Sequence, residues 1–316
     1  MVTKRFIIKV LTFVAIIVGV NALLLWGVPK DKNAYLNEYN HKIVLLETMP
    51  QPRIIFLGGS NIAFGIDSRT VSDSLHYHAI NMGLHGGIGM RYPVEDCLQY
   101  IQPGDVVVMQ LEYGNFFNGG NGNHETFAAF MIATGWRNAT RLNAAQWGNV
   151  LAGIPREAVR NALRVMRYPM RHTMDSRASE TKFEYVKDGF NGFGDEVSHL
   201  DYPSEPCVPS NQAETREVDR EVVAWLQKWI EKYEQAGAIV LMVPPVNVES
   251  NLKATYNDNI ARALEDIGHP YLVSPESMAL NDSCYFNTGY HMNRDGVNQN
   301  TRHLIDLLRT HLTKQE

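Results

Sequence analysis

Two residues in this chain have the chemistry of a nucleophile and its base. Ser60 closes the run Arg53-Ile-Ile-Phe-Leu-Gly-Gly-Ser-Asn61, in which an apolar stretch ends in two glycines. That pattern is a buried strand entering a tight turn. In open α/β sheets ligands bind at the carboxyl ends of strands, so a serine placed there meets solvent. Neighbouring backbone N–H groups can then hold an oxyanion. The plain alternative is that Gly-Gly-Ser is a turn or a helix cap. His291 lies in Tyr285-Phe-Asn-Thr-Gly-Tyr-His-Met-Asn293, a polar loop just ahead of the last helix. A serine hydroxyl needs a nearby base to become a nucleophile, and imidazole titrates in the right range. With eleven histidines present, a loop histidine that only hydrogen-bonds its surroundings is the competing view.

The elements that must position this pair alternate as in a parallel α/β sheet. Strands are expected at Arg53 to Gly58, His78 to Asn81 and Val106 to Leu111, with helices at Val71 to Leu75 and Tyr92 to Ile101 between them. The alternation breaks near Asn118-Gly-Gly-Asn-Gly122 and stays broken to about residue 205, which marks a mostly helical insertion over 119–205. It returns with a long amphipathic helix from Gln212 to Gln235, a strand at Ala238 to Val243 and a helix at Leu252 to Ile267. A short last strand at Tyr271 to Val273 and a helix at Thr301 to Leu312 close the chain.

Taken together, these pieces resemble the SGNH (GDSL-like) hydrolase superfamily. Phe56-Leu-Gly-Gly-Ser-Asn61 looks like its first block, with Ser60 as nucleophile. Asn81-Met-Gly-Leu-His-Gly-Gly87 looks like the second, which assigns an oxyanion N–H to Gly86. Gln110-Leu-Glu-Tyr-Gly-Asn115 looks like the third, with a slightly different spacing, and assigns a second oxyanion donor to the Asn115 amide. His291 matches the histidine of the last block. The likeness covers 53–118 and 210–312 and implies a three-layer fold built on a parallel sheet. It is strongest to single-anchor members that work beside membrane-bound O-acyltransferases, such as accessory proteins of alginate O-acetylation and of D-alanine transfer to teichoic acids. The segment Phe190-Asn-Gly-Phe-Gly-Asp195 also looks like a loop of that group.

One departure bears on activity. The superfamily usually has an aspartate three residues before the histidine, where this chain has Thr288, and anchored relatives often carry it four residues before, where this chain has Asn287. An asparagine can orient an imidazole but cannot stabilise its positive charge. Either Asn287 or a backbone carbonyl assists a Ser–His pair, or Asp282 or Asp295 supplies the acid, or the chain is an inactive descendant.

Val10 to Val28 is nineteen residues with no charge, close to the ~20 that cross a bilayer. Lys4, Arg5 and Lys9 precede it, which favours a cytoplasmic N-terminus. The expected organisation is a membrane anchor over 1–30, a partly helical juxtamembrane stem over 31–50, and an extracytoplasmic α/β domain over 51–316, periplasmic or extracellular. The rival is a cleaved signal peptide, but no A-x-A site follows. The chain has 316 residues and a net charge of −5, so nothing in its electrostatics supports nucleic-acid binding. Cys97, Cys207 and Cys284 form no CxxC pair; Cys97 fits a core position, while Cys207 and Cys284 could bridge in an oxidising compartment. His76, His78 and His85 have no further ligand set, so no metal or other cofactor is expected. Arg156, Arg160, Arg164, Arg167 and Arg171 recur at helical spacing, either as a solvated helix face or as a stripe for anionic lipid or polysaccharide. Asn138-Ala-Thr140 and Asn281-Asp-Ser283 are glycosylation sequons, meaningful only in a eukaryotic secretory host.

The function these observations imply is acyl-ester chemistry at the cell surface. An acyl donor and a glycan acceptor would be the substrates, with O-acetyl transfer through an acyl-serine. An esterase or deacetylase would use the same residues, and a non-catalytic partner of a membrane-bound O-acyltransferase would need none of them.

Overall fold

The computed structural model describes residues 2–27, 31–171, 183, 185–206, 208 and 212–312. In chain order the elements are α1 (Val2–Trp26), α2 (Glu38–Thr48), β1 (Arg53–Gly58), α3 (Ser60–Ala63), α4 (Ser68–Leu75), β2 (His78–Asn81), α5 (Arg91–Cys97) and β3 (Val106–Gln110). They continue with α6 (His124–Ala133), α7 (Ala144–Arg171), α8 (Arg220–Gln235), β4 (Ile239–Met242), β5 (Asn247–Val248), α9 (Glu249–Thr255), α10 (Asn259–Asp266), β6 (Ala279–Leu280) and α11 (Arg294–Leu312). The chain forms two compact units, Met1–Lys32 with His124–Lys182, and Asn33–Asn123 with Phe183–Glu316.

The larger unit is an α/β domain. Its main sheet is parallel throughout in the order β2-β1-β3-β4, with Phe56 facing Asn81 on one side and Val108 on the other. All five residues of β3, Val-Val-Val-Met-Gln, are buried, as strands covered on both faces must be. Alternate side chains Ile54, Phe56, Val106 and Val108 pack with Val71 of α4 and with Leu304 and Leu308 of α11. The helices α2, α5 and α8 are tied to one another by Tyr39 Oη donating to Asp96 Oδ2 (3.0 Å) and Tyr233 Oη donating to the Val94 carbonyl (2.7 Å). The polar stretch expected to be a stem thus contains a packed helix, α2, which buries Tyr39, Ile43 and Leu46.

Near the start of β1, Arg53 and Asp105 form a fully buried pair. Arg53 Nε donates to Asp105 Oδ1 at 2.8 Å and Nη2 to Oδ2 at 2.5 Å, and the remaining guanidinium N–H groups reach the Leu46 and Tyr100 carbonyls. Deleting one partner of a buried pair strands the other charge. Asp105→Ala is therefore expected to lower stability by about 3–5 kcal/mol in denaturant unfolding, against a minor loss for exposed Asp306→Ala.

Several boundaries differ from the sequence expectation for local reasons. α8 begins at Arg220, not Gln212, because Asp219 caps it by accepting the Glu221 N–H. The helix expected over Leu252 to Ile267 is two, since the Asn257 side chain accepts the Asn259 N–H and restarts the turn. Tyr271 to Val273 forms no strand; the second, two-stranded parallel sheet pairs β5 with β6. α11 starts at Arg294, with Asn293 Oδ1 accepting the Gly296 N–H.

In the smaller unit, Thr3–Trp26 is long and apolar enough to cross a membrane, with side chains such as Phe6, Leu11, Phe13 and Leu23 exposed. α6 and α7 pack together, burying Phe127, Phe130 and Val150. α7 also lies on α1, where Asn161 Nδ2 donates to the Leu24 carbonyl (2.9 Å). Arg156 pairs with Glu125, Arg160 with Glu157 and Arg164 with Asn161, so these three belong to a partnered helix face. The Arg167 and Arg171 side chains and Cys207 lie outside the described residues. Cys97 and Cys284 are buried, and Gln299 Nε2 approaches Cys284 Sγ at 3.3 Å.

Candidate active site

β1 delivers Ser60 to the first position of α3. Two side-chain bonds from Asn61 fix the turn: its Oδ1 accepts the Gly59 N–H (3.0 Å) and its Nδ2 donates to the carbonyl of Gln110 at the end of β3 (2.9 Å). Asn81, at the end of β2, does the same on the other side. Its Nδ2 donates to the Ile62 carbonyl (3.0 Å) and to Asp195 Oδ1 (2.8 Å), and its Oδ1 accepts the Gly83 N–H. Asp195 brings in the Phe190–Asp195 loop and also accepts the Ser68 N–H and hydroxyl at the start of α4. Three strand ends, a helix start and a distant loop are thereby locked around Ser60.

The Ser60 hydroxyl donates to Glu112 Oε1 at 3.2 Å, and the Asn61 N–H points to the same oxygen at 3.5 Å. The Glu112 carboxyl lies against two glycines. A Cβ on Gly59 would fall 2.2 Å from Oε1, and one on Gly86 would fall 2.1 Å from Oε2, so neither position admits a side chain while Glu112 stays there. Burial pushes the Glu112 carboxyl above its usual pKa, while hydrogen bonds from Asn61 and Ser60 pull the other way. Asn115 ties this segment down: its Nδ2 donates to the Glu112 carbonyl (3.1 Å) and its Oδ1 accepts the Met90 N–H (3.1 Å). Its amide is thus engaged with backbone.

His291 sits in a tight hairpin closed by a bridge between Tyr285 and Met292. The His291 carbonyl accepts the Phe286 N–H, and the His291 N–H donates to the Thr288 carbonyl, both at 2.9 Å. That turn brings Asn287 beside the ring. Asn287 Oδ1 is 2.7 Å from His291 Nδ1, and Asn287 Nδ2 donates to the Tyr185 hydroxyl at 3.0 Å. An accepting Oδ1 holds the proton on Nδ1 and leaves the Nε2 lone pair free, the tautomer a general base needs. The ring lies flat on Phe64, centroids 4.0 Å apart and planes 8° from parallel, and the Phe64 N–H donates to the Ser60 carbonyl. The imidazole is therefore stacked on the residue that ends α3, the helix Ser60 begins. Among the described residues Ser60 and His291 are not hydrogen-bonded to each other; the serine is turned to Glu112.

The two aspartates considered for the acid are placed elsewhere. Asp282 accepts the Ser250 N–H, and Asp295 is exposed in the first turn of α11. Burial drives the His291 pKa down to about 3, with His199 and His85 adding to the shift. His199 is itself clamped between Glu196 Oε2 (2.7 Å) and the Met292 carbonyl (2.9 Å). A histidine whose folded pKa lies near 3 against 6.5 unfolded binds fewer protons in the folded state, so stability falls as pH drops below 6.5. The loss by about pH 4 is expected to be about 3 kcal/mol. Urea unfolding at neutral and acid pH should show a shallower pH dependence in His291→Gln.

Tyr185, Phe64 and the Glu196–His199 pair carry no motif by which sequence alone would mark them; Glu112, beside the expected site in the sequence, reads there as a structural partner or a substrate contact. Among the described residues no three His, Cys, Asp or Glu side chains gather as a metal set. His85 Nδ1 instead accepts the Gly87 N–H (2.9 Å). Comparison with protein-family models, curated proteins and solved structures found no match to this chain.

Proposed function

We propose that this chain is a membrane-anchored acyl-ester enzyme of the SGNH kind, which moves an acyl group through Ser60 to a cell-surface glycan. The observation that carries it is the Asn287–His291 contact, which engages Nδ1 of a neutral imidazole stacked on Phe64, the residue that ends the helix Ser60 begins. In the proposed reaction Ser60 Oγ attacks the acyl carbonyl and its proton passes to His291 Nε2. The N–H groups of Ser60 and Gly86 hold the oxyanion. The C–O bond to the donor alcohol then breaks, and His291 returns the proton to that oxygen. A sugar hydroxyl next attacks the acyl-serine, His291 takes its proton, and Ser60 is released with that proton. The Asn115 amide, expected as a third oxyanion donor, would have to turn from the Glu112 carbonyl to contribute.

An apolar helix at Thr3–Trp26 long enough to span a bilayer supports the membrane anchor, and Lys4, Arg5 and Lys9 favour an α/β domain outside the cytoplasm, where a membrane-bound O-acyltransferase is the acyl source of this proposal. The esterase alternative differs only in accepting water. Incubating the full chain with an activated acetyl ester and a panel of surface oligosaccharides separates them. Acetylated sugar above the level made by Ser60→Ala is the expected product, and acetate alone would favour the esterase.

A further inference from the structure

The carboxyl of Glu112 lies against Ser60 and Gly86, the residues whose N–H groups the proposed chemistry assigns to an oxyanion. It accepts the Ser60 hydroxyl at 3.2 Å and faces the Asn61 N–H at 3.5 Å. Its two oxygens fill the space above Gly59 and Gly86 that the absent Cβ atoms leave open. An ionised carboxylate there opposes a developing oxyanion at the Ser60 and Gly86 N–H groups, because the like charges would stand within a few ångströms of each other. The Asn115 side-chain amide donates to the Glu112 main-chain carbonyl and so fixes the backbone that carries the carboxyl.

We propose that Glu112 is a built-in occupant of the oxyanion pocket, which must take up a proton or leave before an acyl carbonyl can enter, so that the enzyme acylates faster in acid than at neutral pH. This rests on Ser60 being the nucleophile. The side chain acts on the proposed site in two ways: it engages the serine hydroxyl that His291 would deprotonate, and it fills the space over Gly59 and Gly86 beside the proposed oxyanion donors. The titratable groups that face Glu112 are the Tyr35 and Tyr290 phenols, both held neutral because burial raises their pKa, Tyr35 far above its usual range. His291 stays neutral well below the range in which a carboxyl titrates, so the base is not lost as Glu112 takes up its proton.

The test compares the full chain with Glu112→Gln, which keeps the shape and removes the charge, and Glu112→Ala, which empties the pocket. Initial rates on 4-nitrophenyl acetate are taken from about pH 5 to pH 8 and corrected with Ser60→Ala. Covalent labelling by a fluorophosphonate is followed in parallel, and melting curves confirm that each variant is folded. The parent rate is expected to fall as pH rises, whereas both variants stay level and run about ten- to a hundredfold faster than the parent near pH 8, the range set by losing a charged hydrogen bond. Variants no faster than the parent near pH 8, with Ser60 still labelled, would overturn the gate and leave the serine reading intact. Should Glu112→Ala unfold, Glu112→Gln alone decides. If none of the three chains takes up the fluorophosphonate, the serine reading fails and the gate fails with it.

Discussion

Ser60→Ala is expected to reduce turnover of an activated acetyl ester by about 10⁴-fold or more, the scale seen when a serine nucleophile is removed from a hydrolytic site. The fold should survive. The Ser60 hydroxyl has one partner, Glu112, and the turn that carries it is held by the Asn61 and Asn81 side chains, not by the serine. Equal melting temperatures with activity lost would place Ser60 in the chemistry. A variant that retained parental turnover would remove the serine from the mechanism.

The Asn287 series carries the second large effect. In serine hydrolases an aspartate beside the histidine fixes its tautomer and stabilises the charge it gains, and exchange for asparagine costs about 10⁴. Here the asparagine fixes the tautomer at 2.7 Å but offers no charge, and the buried ring is correspondingly hard to protonate. Asn287→Asp is expected to raise the His291 pKa and to increase turnover by about ten- to a thousandfold, bounded by that same exchange. The change is sterically small, and Tyr185 can donate its hydroxyl to the new carboxylate where it now accepts from Nδ2. Asn287→Ala should lower turnover, since the ring loses its orienting acceptor. Asp282→Asn and Asp295→Asn should be nearly silent, because one aspartate is spent on the Ser250 N–H and the other is exposed. Turnover and its pH profile across these variants check each expectation; a severe effect of either aspartate would reassign the acid.

The strands that present this site were legible because apolar runs such as Val106–Gln110 end at glycines, turns or caps, and that contrast is local. Helix limits were less so. Where α8 starts depends on which polar residue caps it, and Asp219 competes in the sequence with several other candidates upstream. Asn287 is marked only by the resemblance to anchored proteins that carry an acid four residues before the histidine; the hairpin that closes this interval brings it to His291. Tyr185 carries no such mark, and it reaches Asn287 from 102 positions away. Glu112 lies in Gln110-Leu-Glu-Tyr-Gly-Asn115, yet its position over Gly59, just past β1, and Gly86, in the loop after β2, depends on the pairing of β1 with both β2 and β3.

The central claim is that Ser60 carries the acyl group. Acid quenching of the full-length chain during turnover of an acetyl ester, followed by peptide mass analysis, tests it directly. Acetyl on the peptide containing Ser60, enriched in Asn287→Asp and absent from Ser60→Ala, is the expected result. An unmodified Ser60 peptide during measurable turnover, or acetyl on the same peptide in Ser60→Ala, would contradict it.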